Sequence, residues 1–64
     1  MKIEVGQVWK LDGDLMMISS VNSKEGIRAG SAKKRGSSYV IIGTPKRIDQ
    51  SDVLRGEFVF DTES

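Results

Sequence analysis

The chain has 64 residues, with ten Lys/Arg, nine Asp/Glu and a net charge of +1, enough for one domain and too few for two. It lacks cysteine and histidine, which excludes disulfides, thiolate metal sites and any role for imidazole as base or ligand. No apolar run approaches the ~20 residues of a membrane-spanning helix, and the opening Met-Lys-Ile-Glu-Val is not the apolar stretch of a signal peptide, so a cytoplasmic location is expected.

Short β-rich segments separated by turn signals follow in chain order. The first spans Val5 to Leu11, with Trp9 and Leu11 on one face and Val8 and Lys10 on the other. Asp12-Gly13 is a preferred pair for a two-residue type I′ hairpin turn. The second segment, Leu15 to Val21, contains a nearly continuous apolar run. That run predicts a strand buried on much of both faces, or one that bends across a core. Asn22 to Gly26 is a polar turn. The third segment, Gly26 to Ala32, carries small residues that predict close approach by a neighbouring element.

Lys33-Lys34-Arg35-Gly36-Ser37-Ser38 then reads as an exposed loop. Tyr39 to Gly43 is the strongest strand signal in the chain. Thr44-Pro45 ends or bends it, because proline cannot donate to a ladder. Asp49 or Ser51 is placed to cap a single helical turn over 52–55, with Gly56 expected to end it in a left-handed conformation. The last strand is Glu57 to Phe60, with Phe58 and Phe60 on one face, and residues 61–64 read as a flexible tail.

Five short strands and one helical turn fit best as a small, strongly bent sheet that closes on itself and hides its edges. The fold expected is therefore all-β: a five-stranded barrel over residues 1–60 with a short 3₁₀-like turn before the last strand. Its core would draw on Val5, Val8, Trp9, Leu11, Met16, Ile18, Ile27, Ala29, Val40, Ile42, Leu54, Phe58 and Phe60. The opening Val5-Gly6-Gln7-Val8-Trp9 resembles the first strand of small SH3-like barrels found in many short phage and bacterial proteins. The segments that follow fit that layout over about residues 3–60. The resemblance implies a non-catalytic module that contacts nucleic acid or protein through loops and one open face. It carries over no individual site residue, and the fold itself selects no activity.

Charge is sorted along the chain. Residues 24–47 carry seven cations, Lys24, Arg28, Lys33, Lys34, Arg35, Lys46 and Arg47, against Glu25 alone. The segments on either side are net acidic. A basic middle between acidic ends makes a local field that the net charge hides. In a phosphate-binding role Lys24, Lys33, Lys34 and Lys46 would neutralise phosphates. Arg28, Arg35 and Arg47 would add directional contacts, and Tyr39 would offer a ring for stacking. Lys33–Arg35 and Lys46–Arg47 flank opposite ends of the Tyr39–Gly43 strand, ~17 Å apart at ~3.3 Å per residue, so two patches are expected unless the strands converge. The bland alternative is a solvated surface whose cations pair with the acidic C-terminal segment.

Other motifs fall away. Asp12-Gly13-Asp14 lacks the further ligands of a calcium loop. Gly43-Thr44-Pro45-Lys46 lacks the spacing of a phosphate loop. Nothing implies a cofactor, a metal, a small-molecule substrate or an enzyme. The expected partner is RNA or DNA backbone. The alternative is a phage-type accessory protein that binds and modulates a host protein; a third possibility is a weak homodimer formed edge to edge through the Tyr39–Gly43 or Glu57–Phe60 strand.

Overall fold

A computed structural model describes residues 2–62. Five strands and one short helix follow in order: β1 (Gln7–Leu11), β2 (Asp14–Asn22), β3 (Gly26–Arg35), β4 (Ser38–Ile48), α1 (Gln50–Leu54) and β5 (Glu57–Asp61). All pairings are antiparallel, in a single sheet of order β4-β3-β2-β1-β5. The protein is thus mostly β, with a short helix before the last strand. The sheet is not closed into a barrel, contrary to expectation: no ladder joins β4 to β5, and each remains an edge strand.

Local chemistry accounts for the turns. Asp12 (φ 52°) and Gly13 (φ 86°) both take the positive φ of a type I′ turn between β1 and β2. The Asn22 carboxamide oxygen accepts hydrogen bonds from the backbone N–H of Lys24 (2.7 Å) and Glu25 (3.2 Å), closing the next turn. Gly36 (φ 64°) leads the two-residue turn between β3 and β4. The basic stretch Lys33–Arg35 is therefore strand, not the predicted loop. Lys33, Lys34 and Arg35 pair with Val40, Tyr39 and Ser38. The strongly β-prone β4 supplies a partner that overrides the weak strand propensity of the cations. At ~3.3 Å per residue a ten-residue strand spans ~33 Å, which matches the 34 Å long axis of the molecule.

Irregularities bend the sheet. In β4 the register shifts opposite Gly30, so the strand runs through Thr44-Pro45 rather than ending there. Proline is tolerated because β4 is an edge and the shift is a bulge. The prediction of close approach at the small residues of β3 holds at Gly30, where a Cβ would lie 2.6 Å from Ile41 Cγ2. A second shift lies in β2 at Ser19, whose hydroxyl donates to the Arg28 carbonyl (3.1 Å). A third lies in β5, where Phe60 pairs with Val8 but Phe58 pairs with Trp9. That bulge turns Phe58 and Phe60 to opposite faces, not the single face expected.

The main core lies on the helix side of the sheet. It comprises Ile3, Trp9, Ile18, Ile27, Ala29 and Val53, with Leu11, Met16 and Ile48 packed against it. Val8 and Met17 pair across β1 and β2 and are buried on the reverse face, so β2 is covered on both faces as its apolar run predicts. Val5, Val40, Ile42, Leu54, Phe58 and Phe60, expected in the core, are instead exposed. Ile3 and Val53 take their place: Ile3 because the N-terminal segment folds over the core, Val53 because it is the buried residue of α1.

The helix begins at Asp49 through backbone alone, the Asp49 carbonyl accepting from Asp52 (3.0 Å) and Val53 (3.2 Å) with no side-chain cap. Gly56 is not left-handed as predicted. Its need is spatial, since a Cβ there would overlap Leu11 Cδ2 and the Lys10 carbonyl oxygen. Of the predicted tail, Asp61 completes β5, and Thr62 donates from its N–H (3.0 Å) and hydroxyl (2.7 Å) to the Gly6 carbonyl. Glu63 and Ser64 lie outside the described residues.

Candidate nucleic-acid interface

The seven predicted cations are all exposed, and Tyr39 is half-buried. Strand alternation and register sort them onto two faces. Arg28, Gly30 and Lys34 project from the reverse face of β3, where Arg47 pairs with Arg28 and Tyr39 with Lys34. Ala29, Lys33 and Arg35 project from the helix side, where Lys46 pairs with Ala29. Lys24 sits in the β2–β3 turn, at the Arg28/Arg47 end of the hairpin. The structure therefore brings Arg28, Arg47, Lys34 and Tyr39 to one face and sets Lys33, Arg35 and Lys46 on the other.

Arg28 and Arg47 stand directly opposite one another. Like charges in that position repel. The Arg47 side chain lies back over Gly26, whose missing Cβ would be 3.5 Å from Nε. None of the seven cations belongs to the ion pair formed within the acidic C-terminal segment. That pair, Asp52 with Arg55, is local to α1 and exposed.

Two shallow grooves adjoin Arg47. One, of about 430 Å³, is floored by Ile3, Ile27 and Ile48, with Lys2 and Asp49 at its rim. The other, of about 550 Å³, lies against Leu11, with Asp52 and Arg55. Their mixed charges give neither groove a clear preference for an anion. Among the described residues no group of three or more His, Cys, Asp or Glu side chains is placed to hold a metal ion. No helix of the described residues is long and apolar enough to cross a membrane.

One aromatic of the interface was missed in the sequence. Phe60 is 37% exposed, and its ring centroid lies 5.4 Å from that of Tyr39 at a tilt of 46°. Only the β5 bulge frees it from the core, and nothing in Glu-Phe-Val-Phe announces that bulge. Phe58 instead meets Trp9 edge to face at 5.5 Å. Comparison with protein-family models, curated proteins and solved structures finds no match for this chain.

Proposed function

We propose that this protein is a non-catalytic binding module whose β3–β4 hairpin engages the phosphate backbone of nucleic acid. The observation that carries this reading is the set of seven exposed cations on and beside one hairpin. The repulsion between Arg28 and Arg47 would be relieved by an anion lying between them. Strand order and the helix before β5 support kinship with the small SH3-like domains, in an open form whose seam between β4 and β5 lacks a backbone ladder. The absence of histidine and cysteine favours binding over catalysis.

The test is fluorescence anisotropy with labelled single- and double-stranded RNA and DNA across a salt series. Wild type is compared with the variant Lys33→Glu/Lys34→Glu/Arg35→Glu. Binding that weakens steeply with salt, with a log–log slope reduced by about 3 in the variant, is expected if each cation meets a phosphate. No binding of any of the four ligands at low salt would retire the reading.

A second reading has its own observation. The open edges carry exposed apolar side chains, Val40 and Ile42 on β4, Phe58 and Val59 on β5. An unpaired apolar edge suits strand addition by a host protein or a second copy. Retention of a protein partner in excess polyanion, or concentration-dependent sedimentation, would favour it.

A further inference from the structure

The reverse face of the sheet holds more than charge. One cross-strand row runs Phe60, Val8, Met17, Gly30 through β5, β1, β2 and β3. Val8 is fully buried and Met17 nearly so, beneath a surface to which Ile41 contributes by folding over Gly30. Tyr39 belongs to one edge strand and Phe60 to the other. In a flat sheet four strand spacings of ~4.8 Å would separate them, yet their rings touch. The sheet therefore curls over this face, and two aromatic side chains span the seam that no backbone ladder closes. Lys34 is the register partner of Tyr39. Arg28 and Arg47 continue the same face along β3 and β4, six residues and ~20 Å away.

We infer that this face is a single-strand site, in which a base stacks on the Tyr39–Phe60 pair while Lys34 beside the rings, and Arg28 and Arg47 further along the hairpin, hold the backbone. This deepens, and rests on, the reading that the hairpin binds nucleic acid. Sequence-tolerant binding of single strands needs a basic track with aromatic rings presented along it. The Tyr39–Phe60 pair closes the seam beside buried Val8 and still leaves ring surface accessible, Phe60 at 37% exposed and Tyr39 half-buried. Phe58 packs on Trp9 and Phe60 on Tyr39, and Lys34 lies beside Tyr39 in the register. A duplex keeps its bases stacked and offers no free base face to these rings.

The experiment uses the whole protein and three labelled probes: oligo-dT, oligo-U and an abasic oligonucleotide of equal length, with a duplex of the same length as reference. Wild type should bind both single strands about tenfold or more tightly than the abasic probe, a loss of one stacked base. Phe60→Leu and Tyr39→Leu should bring oligo-dT and oligo-U down to the abasic level while leaving abasic and duplex binding within about twofold. Phe60→Tyr should restore the loss. Ring protons of Tyr39 and Phe60 in the wild type should shift on adding oligo-dT and not on adding the abasic probe, which tests the site even if Phe60→Leu fails to fold. Equal affinity for abasic and base-bearing strands, or unmoved ring signals at saturation, would overturn the single-strand site while leaving backbone binding standing. Failure of every probe to bind would overturn both. A preference for oligo-dT or for oligo-U would tell which nucleic acid the face prefers.

Discussion

Gln7 is the buried polar side chain of the described core, at 4% exposed, and every polar atom of its carboxamide is used. Its Oε1 accepts from the Trp9 indole Nε1–H and from the Glu4 backbone N–H, each at 3.1 Å. Its Nε2 donates to the Lys2 carbonyl, also at 3.1 Å. One side chain thus orients the central indole and ties down the segment that delivers Ile3 to the core. Beside it, Gly6 (φ 92°) donates to the Ile18 carbonyl (3.0 Å) and accepts from Thr62. The opening motif is therefore structural. Gln7→Leu leaves the indole N–H and the Glu4 N–H without their acceptor. It should cost about 1–3 kcal/mol, read as a lower urea midpoint at unchanged m-value. A midpoint equal to wild type would mean that the N-terminal segment is held by Ile3 alone.

At the scale of the element, the β3–β4 hairpin carries both the candidate site and an internal cost. Arg28 and Arg47 face each other across the hairpin. Replacing one with a neutral, β-prone side chain should stabilise the fold while weakening binding. Arg28→Thr is expected to gain about 0.2–1 kcal/mol at low ionic strength. The gain should fade as salt screens the repulsion in wild type. Thermal denaturation at low and high salt would measure it, and loss of stability at both would show that the arginine stem packs usefully. The hairpin also marks where sequence reasoning stopped. The Asp12-Gly13 turn was legible because its φ values are dictated by two adjacent residues. The concentration of cations in residues 24–47 was legible from charge alone. The strand state of Lys33–Arg35 was not, because it depends on the partner β4 rather than on local propensity. The faces were not either: a bulge of one residue reverses the side of everything beyond it. That is why Phe60 was expected on the face of Phe58 and is found on the other, and why it was missed as a neighbour of Tyr39.

For the whole molecule, small size sets how strongly binding must register in stability. The radius of gyration of 10.6 Å is that of a compact chain of this length, about 11 Å, so the open seam does not reflect an expanded fold. A domain of this size nevertheless buries a smaller share of its surface than larger ones and is marginally stable. A ligand that binds only the folded state adds about 2.7 kcal/mol when its free concentration is 100-fold above Kd. For a domain under 100 residues each kcal/mol moves Tm by about 4–8 °C. Saturating oligo-dT at low salt should therefore raise Tm by roughly 10–20 °C. Salt should erase this shift in step with the loss of affinity, because phosphate contacts release counterions. The unfolded chain keeps the same seven cations and binds polyanions weakly too, which trims the shift but leaves its sign. A Tm that falls on adding oligo-dT would mean that the chain binds nucleic acid better unfolded than folded. The charge of residues 24–47 would then act as a polyelectrolyte, and the geometry of the hairpin would play no part in recognition.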